Sequence, residues 1–410
     1  MQEEPDSQAI RVPRFRQFVI GRLCESMAGQ MLAVAVGWQV YHLTGRPLDL
    51  GFVGLALFLP AVCLALITGH TADRHDRRLV LALSCCLDAA SVLILILLTL
   101  GANRDPIWIF AVLVLVGTAR AFQSPASFAI LPNLVAPRQF ANAAAWVSTV
   151  WQGAAIAGPA LGGVLYLLGP ISVFSACVCM SLLSAALFFS LPSSTGPMLR
   201  GNVTWESLLA GIRFIRLQPL VLGAISLDLF AVLLGGATAL LPIYARDILH
   251  VGPAGLGLLR SAPAAGAVLL GLYLLRFPLR RHAGRTLLLT VAVFGIATIG
   301  FGLSRTLWLS LLMLALLGAA DMVSVVIRRV LVQLATPDEM RGRVSAAESV
   351  FIGASNELGE FESGVTAALF GTVPAVILGG IGTLLVVGLW AWRFPALRRA
   401  DRLDQPVLQQ

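Results

Sequence analysis

Long apolar runs separated by short polar turns repeat along the whole chain. Twelve such runs can be placed, roughly at 15–43, 50–69, 79–101, 106–131, 139–168, 171–191, 219–249, 255–277, 285–304, 307–335, 343–371 and 373–394. The stretch from Leu79 to Leu100 carries a single charge, Asp88. About 20 apolar helical residues rising 1.5 Å each span the hydrocarbon core of a bilayer. Several runs exceed that length, so their helices are expected to tilt or to extend past the membrane. The pattern predicts an all-α integral membrane protein with twelve transmembrane helices in two six-helix halves. The expected divisions are a tail at 1–14, an N-terminal bundle at 15–191, a linker at 192–218, a C-terminal bundle at 219–394 and a tail at 395–410.

Composition agrees with that pattern. The chain has 410 residues, 58% hydrophobic and 12% charged, whereas a soluble protein is about 25% charged. Every basic residue other than histidine is arginine, and the net charge is +8. Of the arginines outside the apolar interior, 20 fall on the face of the loop at 69–78 and 4 on the opposite face. Such a bias marks cytoplasmic loops, so both termini are expected in the cytoplasm, and the positive charge reports topology rather than nucleic-acid binding. The six cysteines lie inside apolar runs, and the five histidines are scattered at helix ends and in loops. No metal site or cofactor is expected. The acidic-then-basic start lacks the order of a cleavable signal peptide.

The loop from Gly69 to Arg78 contains the pattern G-x-x-x-D-R-x-x-R-R. It resembles the signature loop between helices 2 and 3 of the major facilitator superfamily of secondary transporters, with Asp76 where that family usually has Gly. The resemblance implies a cytoplasmic gate in which Asp73, Arg74 and Arg78 form an ion-pair latch. Gly69 would let neighbouring helices approach closely. A purely topological anchor is the alternative. In the fifth run, Gly158, Pro159, Gly162 and Gly163 resemble the G-P-x-x-G-G motif of the superfamily's exporters and read as a hinge. A glycine-rich packing face would look the same. The halves also resemble each other: Gly117 to Arg138 corresponds to Gly318 to Asp338 at an offset of about 200 residues. A repeat of that kind implies a substrate site near the midplane where the halves meet.

Charged residues inside the apolar runs are the candidates for binding and coupling. Arg22 and Glu25 lie one helical turn apart and could satisfy each other. Arg120 stands near the middle of the fourth run, where an arginine costs about 2.5–3.5 kcal/mol on insertion scales; it therefore faces a cavity or a carboxylate. With Gln123 it resembles the family's R-x-x-Q-G motif, associated with proton coupling, Ser124 replacing Gly. Gln152 and Asp228 complete the first group. Asp321 and Arg328, seven residues apart, share a helix face. The eleventh run holds Glu348, Glu357, Glu360 and Glu362, which a regular helix cannot aim at one cavity; two of them could pair with Arg328 or Arg329. Desolvated carboxylates can exchange protons near neutral pH. Asp321 and Glu357 are the leading candidates for that role.

Within the linker, Leu208, Leu209, Ile212 and Ile215 stand opposite Arg213 and Arg216, the pattern of an amphipathic helix on the membrane surface. The segments Ser207 to Phe214 and Thr336 to Val344 resemble the enterobactin-exporter-like branch of bacterial facilitators. The resemblance implies a proton-coupled exporter of a small organic molecule, a siderophore or a drug, acting in the bacterial inner membrane as a monomer by alternating access. An uptake symporter, a lipid carrier and a non-transporting sensor remain as rivals. Without a P-loop or a site for covalent chemistry, neither ATP-driven transport nor catalysis is expected.

Overall fold

The computed structural model describes residues 8–101, 105–193, 205–277, 279 and 281–401. Its described residues form helices and no strands. The α-helices are α1 (Pro13–Thr44), α2 (Pro47–Cys63), α3 (Ala65–Arg74), α4 (Arg77–Leu100), α5 (Pro106–Leu134), α6 (Phe140–Leu165), α7 (Pro170–Phe189) and α8 (Trp205–Leu217). They continue as α9 (Pro219–Leu234), α10 (Leu241–Ile243), α11 (Gly252–Arg276), α12 (Ala283–Leu303), α13 (Leu307–Leu334), α14 (Asp338–Phe370), α15 (Thr372–Arg393) and α16 (Pro395–Arg399). Each of the twelve predicted runs falls on helix. Among the described residues, ten spans are long and apolar enough to cross a membrane. The other two runs are α2 with α3, which breaks at Leu64, and α14, whose charges lower its hydropathy.

Local chemistry sets the ends. Proline opens α1, α5, α7 and α9, where its missing N–H would have no intrahelical acceptor. Asp105 and Asp76 cap α5 and α4, accepting from the Ile107 and Arg78 backbone N–H groups at 3.0 and 3.2 Å. Gly45 ends α1 in the left-handed region at φ 63°.

The seventh predicted run is not one helix. After Leu234 the chain passes through Gly235 and Gly236, a 3-10 turn at Ala237–Leu240, α10, and a π-helical turn at Tyr244–Ile248. A Cβ on Gly236 would lie 2.5 Å from the Gly359 carbonyl oxygen, and one on Gly235 would lie 2.5 Å from the Phe294 ring. Apolar periodicity does not record such a break; the glycine pair does. The Tyr244 hydroxyl, buried, donates to the Gly302 carbonyl at 3.0 Å.

The chain divides into two compact units. The first comprises Met1–Gly45, Ala56–Asn202 and Gly252–Ser261; the second comprises Arg46–Leu55, Val203–Val251 and Ala262–Gln410. Within the first, Phe15, Phe18, Leu81, Ile130 and Phe188 are fully buried at the centre of a cluster drawn from α1, α4, α5 and α7. Between lipid-embedded helices the hydrophobic effect is weak, and small residues allow backbone contact instead. Gly158 and Gly162 fit α6 against α1: an added Cβ would sit 2.5 Å from Gln30 Cβ or 2.9 Å from Met31 Cα. Gly163 fits α6 against the first turn of α11, 2.4 Å from the Pro253 carbonyl oxygen. Gly158, Gly162 and Gly163 thus present two packing faces on a helix that continues through Pro159.

In the second unit, Gly266 and Gly318 bring α11 and α13 into backbone contact, and Gly51 does the same for α2 and α14. The helix predicted to lie on the membrane surface is here a packing element. Ile215 of α8 is buried with Val221, Ile225, Val332, Val344 and Ala347. Gly211 admits the Arg343 carbonyl to within 2.4 Å of a built Cβ. Ile212 and Ile215 of α8 therefore meet protein, whereas Leu209 on the same helix stays exposed.

Candidate functional site

Each unit buries its own group of charged side chains. In the second, α13 presents Asp321, Ser324 and Arg328 on one face, three and four residues apart. Arg328 is 2% exposed. Its Nη1 forms an ion pair with Asp228 Oδ2 of α9, and its Nε lies 3.2 Å from Glu348 Oε1 of α14. The second contact is charge–charge only: neither the Nε nor the Oε1 has a hydrogen-bond partner among the described residues. The Ser324 hydroxyl donates to Asp228 Oδ1 at 3.4 Å. One buried guanidinium therefore serves two carboxylates.

Asp321 is the third carboxylate of this group and is differently placed. It borders a cavity of about 10 Å³, room for one water, together with Asp228, Ser324, Ala231, Val232, Val291, Phe294 and Ala320. No ion pair or hydrogen bond to its carboxylate is found among the described residues. Asp321 and Asp228 can therefore share a water while only Asp228 holds a counter-charge.

The first unit's group is built around α1, α4 and α5. Arg22 Nη1 contacts both oxygens of Glu25, at 2.6 and 2.7 Å. The i,i+3 spacing on α1 makes that geometry available locally. Arg120 of α5 donates to the Gly29 carbonyl at 3.4 Å and lies over that glycine. That contact uses one of its N–H groups, and its charge acts on the Asp88 and Glu25 carboxylates without a direct ion pair. Asp88 of α4 is buried and accepts from the Ser181 hydroxyl of α7 at 2.9 Å.

The remaining predicted residues are distributed more widely. Gln152 is half-buried on α6 with no hydrogen bond among the described residues. Glu357 and Glu360 are half-buried on α14, the latter against Gly54, whose built Cβ would lie 2.9 Å from Glu360 Oε2. Glu362 accepts from the Thr366 hydroxyl at 2.6 Å.

In the basic loop, Arg78 pairs with Asp76 at 2.9 Å, donates to the Leu191 carbonyl at 2.8 Å and stands 6.0 Å from the Phe189 ring centroid. Arg77 is buried and donates to the Ala129 carbonyl at 3.1 Å. The loop is thereby tied to α5 and to the end of α7. Arg74 is exposed, and the side chain of Asp73 lies outside the described residues. The close approach expected at Gly69 is absent: a Cβ there would meet nothing within 4 Å, because no backbone among the described residues crosses that turn.

Sequence reasoning does not select Asp88 as a site residue, and it names Glu348 only as one of four carboxylates of its helix that could pair with Arg328 or Arg329. Asp88 could have been found as the lone charge in an otherwise apolar run. Glu348 could have been singled out as the α14 carboxylate nearest in depth to Arg328, since Arg328 lies near the C-terminal end of α13 and Glu348 is the first of the four glutamates after the short turn that opens α14.

Apolar spanning helices enclosing buried ion groups are the architecture of a membrane transporter, and the family match places the chain in that class. It belongs to the transmembrane secretion effector family of the major facilitator superfamily, matching that family over residues 8–409. The enterobactin exporter EntS of Citrobacter koseri is 25% identical over 400 residues, covering 96% of this chain and 95% of that protein. The multidrug efflux pump Tap of Mycolicibacterium fortuitum is 28% identical over 393 residues, covering 91% and 93%. Among solved structures, the nucleoside transporter NupG superposes with a TM-score of 0.69 at 16% identity, covering 94% of this chain and 99% of that one. A bacterial homologue of the human lysosomal transporter Spinster, inward-facing and occupied, gives 0.72 at 14% identity, covering 97% and 98%. The two structural matches speak to fold alone.

Proposed function

We propose that this protein is a proton-coupled exporter, an antiporter, of a small organic molecule of the siderophore or drug class. It works by alternating access as a monomer in a bacterial inner membrane, with both termini in the cytoplasm. The observation that carries the reading is Asp321: a carboxylate at mid-helix, beside a water-sized cavity, with no counter-charge among the described residues. Ionisable groups held at membrane depth mark proton or substrate paths. Arg328 compensates Asp228 and Glu348, which leaves Asp321 as the group whose charge is set by proton loading. Export as the direction is supported by the names of the relatives, an enterobactin exporter and a multidrug efflux pump. A proton entering from outside loads the carboxylate, and its release inside resets the carrier. Glu357 and Glu360 of α14 in the second unit, and Arg22, Glu25 and Arg120 in the first, are the further candidates for proton coupling and substrate contact. Asp73, with Arg74 and Arg78, forms the cytoplasmic gate.

The test is transport by Asp321→Asn in reconstituted vesicles. Gradient-driven flux is expected to vanish while substrate binding remains. Undiminished pH-driven flux would remove Asp321 from the coupling role.

A further inference from the structure

Where α16 returns to the start of α12, the second unit has an open groove that the transport reading leaves unused. Gly284 permits the return: a Cβ there would lie 1.7 Å from the Leu397 carbonyl oxygen. The Gly284 N–H donates to the Ala400 carbonyl at 2.9 Å, and the His282 N–H donates to Asp401 Oδ1 at 3.0 Å. Leu397 is fully buried beneath the turn, whereas Arg398 and Arg399 are exposed. These two arginines and Arg285, in the first turn of α12, edge a groove of about 690 Å³ whose other walls are Leu288, Leu289, Ala292 and Val387. An adjoining hollow of about 310 Å³ shares the three arginines and adds His282, Ala400 and Asp401.

We propose that this groove binds one anionic phospholipid, its phosphodiester between Arg285, Arg398 and Arg399 and an acyl chain along the α12–α15 seam. Three observations select that occupant. None of the three guanidiniums has an ion pair or hydrogen bond among the described residues. Asp401, the only carboxylate on the rim among the described residues, is already held by the His282 backbone, with the His282 ring Nε2 3.8 Å away. The polar and apolar walls are also separated in depth. From Arg285 to Ala292 the helix rises roughly 10 Å, which carries the wall from headgroup level into the hydrocarbon. A soluble anion would use the arginines but not the apolar seam, and a zwitterionic lipid would bring an ammonium that offsets its phosphate against three arginines. Basic pockets between spanning helices are suited to anionic headgroups.

Native mass spectrometry of the detergent-purified full chain tests this, with phosphatidylglycerol, phosphatidylcholine and inorganic phosphate as separate probes. One phosphatidylglycerol is expected to bind in preference to phosphatidylcholine. Each arginine replaced by alanine should weaken it about fivefold, with a loss on the order of 100-fold for Arg285→Ala/Arg398→Ala/Arg399→Ala. The corresponding triple lysine variant should keep most of the binding, which guards against a folding defect in the alanine variant. Arg213→Ala/Arg216→Ala, which removes exposed arginines of α8, should leave binding unchanged. Equal retention of phosphatidylcholine, equal loss in the α8 variant, or inorganic phosphate displacing the lipid at comparable concentration would each overturn the proposal.

Discussion

Replacing Arg328 by methionine keeps most of its volume and removes its charge. Asp228 and Glu348, 6% and 9% exposed, would then both be buried without a counter-charge. Breaking a buried ion pair from one side costs about 3–5 kcal/mol, because the remaining charge stays desolvated. For a cooperative unit of roughly 200 residues, 1 kcal/mol corresponds to about 2–4 °C in Tm, so Arg328→Met should lower the transition by about 10 °C. The second variant is Arg328→Met with Asp228→Asn and Glu348→Met. It removes all three charges, and the amide oxygen introduced by Asp228→Asn would still accept from the Ser324 hydroxyl. Replacing a whole buried ion group is often neutral or stabilising, so more than half of the loss should return. The assay is thermal unfolding of purified protein in one detergent, read by intrinsic fluorescence and by monodispersity after heating. A shift below about 2 °C for the single variant would refute the reasoning. So would a combined variant no more stable than the single one.

Other expectations follow from single contacts. Gly318→Ala would drive a methyl to 2.0 Å from the Pro263 carbonyl oxygen and should destabilise by about 1–3 kcal/mol, read as Tm. Gly353→Ala, with nothing within 4 Å, should instead stabilise α14 by about 0.5–1 kcal/mol. Tyr244→Phe leaves the buried Gly302 carbonyl without its donor and should cost about 1–3 kcal/mol in the same measurement. Asp73→Asn should slow exchange in vesicles while preserving substrate preference; an altered substrate profile would argue against a gate.

The helices were legible because their physics is local. Apolar length, opening prolines and capping aspartates are all written in neighbouring residues. The Arg22–Glu25 pair was legible for the same reason, one turn apart on α1. Arg328 shows the limit. Its face on α13 follows from helical spacing, and a carboxylate of α14 is an expected partner, but spacing on one helix cannot single out Glu348, about 20 residues away, or name Asp228 of α9, about 100 away. Arg120 is expected to face a cavity or a carboxylate; its charge does act on Asp88 and Glu25, but its direct contact is the Gly29 carbonyl, a group every sequence contains at every position. The contact of α8 with α14 was hidden likewise: Ile215 looks the same in sequence whether lipid or protein covers it. Gly211 was the sign that protein would, since a glycine there admits the Arg343 backbone.

Efflux of a catecholate siderophore and of a cationic dye from cells lacking their own exporters tests the central claim most directly. It should be measured with the wild-type chain and with Asp321→Asn, before and after a protonophore. The wild-type chain is expected to lower the cell content of at least one of the two substrates, and both the protonophore and Asp321→Asn should abolish that effect. Chain-dependent efflux that survives the protonophore and the Asp321 substitution would contradict proton-coupled export through this carboxylate.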